Sequence, residues 1–278
     1  MNKLALLAFA LLLFLSTLLW YLANGSLNDY LKSQVILQSH YYSEQQAQLK
    51  SANFSMDTGI TQFNHFSLGN ISGLTQPYVL TVDTISVQLA KIPSRPLNSP
   101  SISKKTTTVV NVELLHLGHL TAWSEVTPRG SSNVVELFNR IKIKLATDYP
   151  ALYPQVSAKL YAQKYPERSE ELALAARDNK LRPEIKAETN QAIIASKKAK
   201  QKKRLLGKAL TRVKINNVII EQLTFIILKD GETLTKVFNN ISLGSFGEGE
   251  GLDSNQLGGE ILKQLLHKLV ELESVTNQ

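Results

Sequence analysis

The feature that most constrains this chain is its apolar run from Leu4 to Ala23, LALLAFALLLFLSTLLWYLA. The run carries no charge, and only Ser16 and Thr17 interrupt it with hydroxyls that can bond back to a helix backbone. At about 1.5 Å per residue a helix of this length spans roughly 30 Å, the hydrocarbon thickness of a bilayer. Trp20 and Tyr21 close the run where amphipathic rings sit at headgroup level, and Lys3 precedes it. No face of such a helix is polar enough to meet water, which argues against a buried helix of a soluble core. The run is expected to be a single-pass transmembrane helix, a signal-anchor with Lys3, Trp20 and Tyr21 at the membrane interface. A cleaved signal is the alternative; its best site puts Ala23 and Gly25 at the small positions before Ser26. Retention is favoured, because the apolar core is longer than a signal peptide needs and the basic start is short. Lys3 favours an N-in orientation, so residues from about 28 onward are expected outside the cytoplasm.

The remaining 250 or so residues suffice for one large domain or two modest ones. There is no cysteine in the 278 residues. That removes disulfides, thiolate metal sites, a Cys nucleophile and lipid attachment at an N-terminal Cys. An exported protein of this size without a disulfide suits a bacterial envelope. The net charge of +8 is local: nine of the 31 basic residues lie between Lys197 and Lys214 with no acidic residue among them, leaving 22 against 23 acidic. The sequons at Asn24, Asn53, Asn70 and Asn240 carry little weight in a Ser/Thr-rich chain.

Past the run, five regions are expected: 1–27 anchor, 28–145 a β-rich region, 146–204 a helical, Lys-ended insertion, 205–252 closing strands of the same domain, and 253–278 a C-terminal helix. Residues 28–48 have helical spacing, with Leu31, Val35, Gln38 and Tyr42 on one face. From Leu49 the period becomes two, and three strands follow (LKSANFSM, TQFNHFSLGNISG, YVLTVDTISVQLA) with turns at Asp57–Gly59 and Gly69–Pro77. In the third, Leu80 and Val82 share a face, whereas Ile85, Val87 and Leu89 fall on the other phase; a bulge near Asp83 and Thr84 reconciles them. Residues 91–105 contain three prolines and read as a loop. A strand from Thr107 to Trp123 alternates through Val110, Val112 and Leu114 and then shifts phase at Leu115 and Leu117, with Gly118 marking the irregularity. Asn133 is placed as the N-cap of a short helix, VVELFNRIKIKL. Strands resume at Thr211–Leu228, turn at Lys229–Glu232 and continue through LTKVFNNISLGSFG. A last helix carries the stripe Leu257, Ile261, Leu265, Leu269 and Leu272, with Gly258 and Gly259 weakening its first turns. The fold class expected is α+β, an antiparallel sheet of about 7–9 strands with a helical insertion and an amphipathic C-terminal helix.

No motif with catalytic spacing occurs: no nucleophile elbow, phosphate loop, His-Glu-x-x-His or dinucleotide fingerprint. His116 and His119 are three apart, which in a regular strand puts them on opposite faces and does not chelate a metal. The glycines from Gly244 to Gly251 are interleaved with Glu248 and Glu250, which repel a phosphate. Neither catalysis, cofactor nor metal is expected. The basic run Lys197, Lys198, Lys200, Lys202, Lys203 and Arg204 is read either as a solvated helix end or as an anionic-lipid contact; nucleic acid is disfavoured outside the cytoplasm and without aromatic interleaving.

Several stretches, in order, resemble the AsmA-like proteins (AsmA/TamB-related) of the Gram-negative envelope, in their short single-anchor form. The resemblance is carried by the N-terminal run, by FNHFSLGNISGLTQPYVLTVDTISVQL with its Ile85–Val87 pair, and by VVNVELLHLGHLTAWSE. SSNVVELFNRI, RVKINNVIIEQLTFII, FNNISLGSFGEGEG and the final helix continue it. Residues 146–204 depart from the pattern as an enlargement. The resemblance implies a periplasmic β-rich domain at the inner membrane that is not an enzyme and assists phospholipid transport or outer-membrane assembly. The partners implied are the inner membrane, phospholipid or another envelope protein. A structural or scaffolding protein that binds a protein or an envelope polymer without carrying lipid is the alternative.

Overall fold

In a computed structural model, residues 27–55, 57–90, 108–164, 211–229 and 231–276 are described. The apolar run 4–23 lies outside them, as do the loop at 91–105, most of the 146–204 insertion and the basic run. Among the described residues no helix is long and apolar enough to cross a membrane.

Among the described residues the architecture is α+β: one seven-stranded, mostly antiparallel sheet with four helices. Helix α1 (27–43) leads into β1 (Ala47–Ser55), β2 (Ile60–Gly69), β3 (Tyr78–Leu89) and β4 (Thr108–Glu125). Helices α2 (Asn133–Asp148) and α3 (Pro154–Lys164) follow. Then come β5 (Thr211–Lys229), β6 (Glu232–Phe246), the two-residue β7 (Leu252–Asp253) and helix α4 (Ser254–Thr276). Strands β1 to β6 lie side by side in sequence order, and β7 pairs with β5. One pairing departs from the expected antiparallel sheet: β4 and β5 run parallel, from Thr108 opposite Thr211 to Glu125 opposite Leu228. Parallel neighbours need a long return connection. The chain supplies one, because α2 and α3 lie between the two strands in sequence.

Alternation along the strands defines the core, but its phase slips along a line running across β2 to β6, and slips again across β4, β5 and β6 between Val112 and Leu115, Ile215 and Val218, and Leu243 and Phe246. In β2 the buried pair Thr61 and Phe63 gives way to Phe66 and Leu68, and His65 between them has φ +51°. Opposite, β3 passes from Leu80 and Val82 to Ile85 and Val87 across Asp83 and Thr84, as the sequence phase requires. In β4 Leu115 and Leu117 give way to Leu120 and Ala122 across Gly118 and His119, and in β5 Ile220 gives way to Leu223 across Glu221 and Gln222. In β6 the slip falls at Asn239 and Asn240, the latter at φ +54°. Because the slips are opposite one another, the pairing register survives: Leu117 faces Ile220 and His119 faces Gln222 on one side of the line and the other. At Gly118 a Cβ would sit 2.7 Å from Asp83 Oδ1, so only glycine lets the Asp83 carboxylate accept the His119 amide there at 2.8 Å.

The slip also changes where the histidines point. Two residues in succession face outward at Gly118 and His119, so His116 and His119 share the outer face instead of opposing each other, and both line one shallow depression with Asp83 and Glu221. His116 lies 3.6 Å from Glu221, while His119 bonds the Thr224 hydroxyl at 2.9 Å. Among the described residues no group of three metal-ligating side chains is placed to hold an ion.

The inner face carries the helices. Helix α2 buries Val134, Leu137, Ile141 and Leu145 at helical spacing and packs along α4, which buries Leu262, Leu265, Leu266 and Leu269. Its N-cap is Ser132, one residue before the expected Asn133: the Ser132 hydroxyl accepts from Val135 N–H at 3.3 Å. Asn133, fully buried, is spent elsewhere. Its Oδ1 accepts from Glu125 and Val134 N–H, and its Nδ2 donates to Asn70 Oδ1 and the Trp123 carbonyl. The Glu125 carboxylate accepts the Thr75 and Gln76 amides at 2.8 and 2.7 Å, and the Glu273 carboxylate accepts from Ser124 and Ser132. This network ties the Gly69–Pro77 turn, the end of β4, the start of α2 and the end of α4 into one piece. A buried polar group left without these partners costs free energy, which is why a Ser-Ser-Asn sequence stands here.

Candidate functional site

The candidate site is an apolar cavity between α1, the first turns of α4 and the inner face of the sheet. It is built by the way α1 crosses α4. The Gln38 side chain joins the two helices twice: its Nε2 donates to the Ser254 carbonyl and its Oε1 accepts from the Gly258 N–H, each at 3.0 Å. One turn on, the Tyr42 hydroxyl donates to the Asn255 carbonyl at 2.8 Å. The helices touch so closely here that a Cβ on Gly258 would meet Gln38 Oε1 at 2.6 Å. A Cβ on Gly259 would meet the Tyr42 ring and Leu145 at 2.9 Å. The glycine pair that weakens α4 as an isolated helix is what allows this crossing.

At its other end α1 is fastened to the sheet edge. Asn28 Oδ1 accepts the Phe54 N–H at 2.9 Å, and Lys32 Nζ donates to the Lys50 carbonyl at 3.0 Å, so two backbone groups of edge strand β1 are capped by α1 side chains. Between its two fastenings α1 bridges the sheet, and beneath it lies a cavity of about 270 Å³. Its floor is Phe66, Leu80, Val82, Leu115, Leu117 and Leu265, all buried. Its rim is Leu31 and Val35 of α1, Ile85 and Val87 of β3, and Leu257 and Ile261 of α4, all half-buried. Among the described residues the polar side chains of the lining are Gln34, Gln38, Ser39 and Ser254, and no charged side chain reaches it. Such a lining has nothing to offer a water molecule and much to offer an alkyl chain.

The surroundings hold ionisable groups neutral. Burial pushes the phenols of Tyr41 and Tyr42 above the ordinary tyrosine value, and that of Tyr149 up to about 12. Tyr41 packs edge-on against Tyr42, with ring centroids 5.1 Å apart, and Lys144 Nζ lies 4.5 Å from the Tyr41 ring centre on the side away from the core. On the far side of α4, Lys263 bonds Glu260 at 2.6 Å and lies over the Tyr153 ring. None of these groups faces the cavity.

The residues singled out from sequence for membrane contact, Lys3, Trp20, Tyr21, Lys197, Lys198, Lys200, Lys202, Lys203 and Arg204, lie outside the described residues. Leu31, Val35, Gln38 and Tyr42 do share the inner face of α1, as their spacing requires, and Leu257, Ile261 and Leu265 of the α4 stripe meet them across the cavity. Reasoning from sequence missed the role of Gly258 and Gly259; the available signal was a glycine pair inside a strongly amphipathic helix. Compared with known proteins, the chain matches no protein-family model, no curated protein and no solved structure.

Proposed function

We propose that this chain is a membrane-tethered, non-enzymatic AsmA-like module of the bacterial envelope that holds lipid acyl chain between α1, α4 and its sheet, and so assists phospholipid transport or outer-membrane assembly. The observation that carries this reading is the aliphatic cavity with a half-exposed rim, roofed by the helix that directly follows the apolar run 4–23. A cavity of that lining gains free energy only from an apolar guest, at about 25 cal/mol per Å² of guest surface removed from water. The order of stretches that resembles AsmA-like proteins supports the envelope setting. The Gln38 joint and the Asn28 and Lys32 fastenings supply a roof fixed at both ends over an unfilled interior.

Lipid analysis of the full chain, purified from membranes in a steroid detergent without acyl chains, tests the reading. Co-purified lipid is expected, and Ile261→Trp, which places an indole in the rim, is expected to remove most of it while leaving the unfolding midpoint within a few degrees. A protein bare of lipid, with one protein partner captured by crosslinking instead, would sink the transport reading in favour of the scaffold.

A further inference from the structure

We infer that the cavity measures its guest: it takes a single acyl chain, tail first, to a depth of about ten carbons. The inference rests on the lipid-holding reading and deepens it. An aliphatic cavity of about 150 Å³ admits the six carbons of benzene, roughly 25 Å³ per carbon. At that scale the 270 Å³ here accommodates about ten carbons of one chain, and a second chain has no room beside it.

The direction of insertion follows from where the polar groups are spent. Where α1 crosses α4 the cavity is closed by Gln38, whose amide is used at both its atoms, by the Ser254 carbonyl and by the Gly258 N–H. Among the described residues no cationic side chain lines the interior, so a carboxylate or phosphate carried inside would lose its hydration without a partner. The rim is where exposure rises, at Leu31, Val35, Ile85 and Val87, and Gln34 stands there with its amide unassigned to the α4 joint. The headgroup therefore stays outside, and a diacyl lipid inserts one tail.

The test is a chain-length series. Saturated fatty acids from six to sixteen carbons compete for the full chain in a steroid detergent against an environment-sensitive dansyl fatty acid. Each buried methylene is expected to tighten binding by about fourfold. Affinity is therefore expected to rise steeply up to about ten carbons and to level beyond that length. Leu117→Ala, which removes three carbons from the floor, is expected to move the break to longer chains by about two carbons, since such sites collapse only in part. Val82→Ala, a smaller deletion on the same floor, is expected to move it by about one and serves if the first variant does not fold. Affinity that climbs uniformly to sixteen carbons, or a break that stays fixed in both variants, would overturn the single-chain measure while leaving lipid binding intact. Failure of every chain to compete, with the dansyl probe unbound, would overturn the lipid-holding reading and the measure with it.

Discussion

Gly259→Ala sets two well-understood effects against each other, and the structure decides the sign. In a helix interior open to solvent, replacing glycine by alanine gains about 1 kcal/mol from reduced backbone freedom in the unfolded chain. At position 259 the new methyl would lie 2.9 Å from Cδ1 and Cδ2 of Tyr42 and from Cδ2 of Leu145. Neither neighbour is free to withdraw. The Tyr42 ring is fully buried with its hydroxyl committed to Asn255, and Leu145, on the inner face of α2, is fully buried as well. Overpacking of this kind costs about 1–3 kcal/mol, and loss of the Tyr42 hydrogen bond adds about 1 kcal/mol. The net expectation is a destabilisation of about 1–3 kcal/mol, or a fall in Tm of roughly 2–12 °C for a domain of this size. Thermal unfolding of the full chain in detergent, followed by far-ultraviolet circular dichroism, measures it. A parallel Gly258→Ala variant meets Gln38 at its Oε1, which can swing away, and at its Cβ, 2.9 Å off, which cannot, so it too should destabilise the chain while breaking the α1–α4 joint. A Gly259→Ala protein more stable than the parent would refute the close crossing of α1 over α4, and with it the geometry of the cavity.

Three further outcomes are expected. Asn133→Ala removes four hydrogen bonds from a fully buried site and should cost about 2–4 kcal/mol in urea unfolding, whereas Asn139→Ala on the exposed face of α2 should cost under about 0.5 kcal/mol. The phenols of Tyr41, Tyr42 and Tyr149 are held above their ordinary value near 10 chiefly by burial, so the stability they contribute is fully present below about pH 10 and is lost as the pH rises through their folded values. The urea midpoint should accordingly hold steady up to about pH 9 and fall beyond about pH 10, with phenolate absorbance from these residues appearing only on unfolding; a midpoint unchanged at pH 11 contradicts the burial. Lys→Gln changes at 197, 198, 200, 202 and 203 should weaken sedimentation of the chain with anionic relative to zwitterionic liposomes, and equal sedimentation returns that run to a solvated helix end.

Most of the sheet was legible because it is written in alternation. The phase break between Val82 and Ile85 is present at Asp83 and Thr84, but not as the bulge expected there: both neighbouring strands slip with β3, and the pairing register passes the point unchanged. The turn at Asp57–Gly59, the hairpin around Gly231 and the α4 stripe follow from equally local signals. The parallel pairing of β4 with β5 was not legible, because alternation says which face a strand buries and nothing of which neighbour it takes. His116 and His119 were misassigned to opposite faces for a related reason. The slip at Gly118 depends on the Asp83 carboxylate of the adjacent strand, so a rule for one regular strand fails where two strands share a kink. Ser132 and Asn133 are both good helix caps by type, and only the buried partners of Asn133 decide which of them caps α2. For the cavity, the sequence showed the apolar faces of α1 and α4 separately; the space between them exists because Gln38 and the glycine pair fix how far apart the faces lie.

The aligned slips across β2 to β6 change the frame in which each strand is written. Just before the line the odd members of β4, Leu115 and Leu117, are the buried ones; just after it the even members are, Leu120 and Ala122. A single-residue deletion at the line in one strand, of Thr84 for example, would carry Ser86 and Gln88 to the core and turn Ile85 and Val87 outward, while the neighbouring strands kept their frame. A length change at this row in one strand alone is therefore read out as a change of face for every residue between it and the next slip, so the row acts as a coordinate that neighbouring strands must count together.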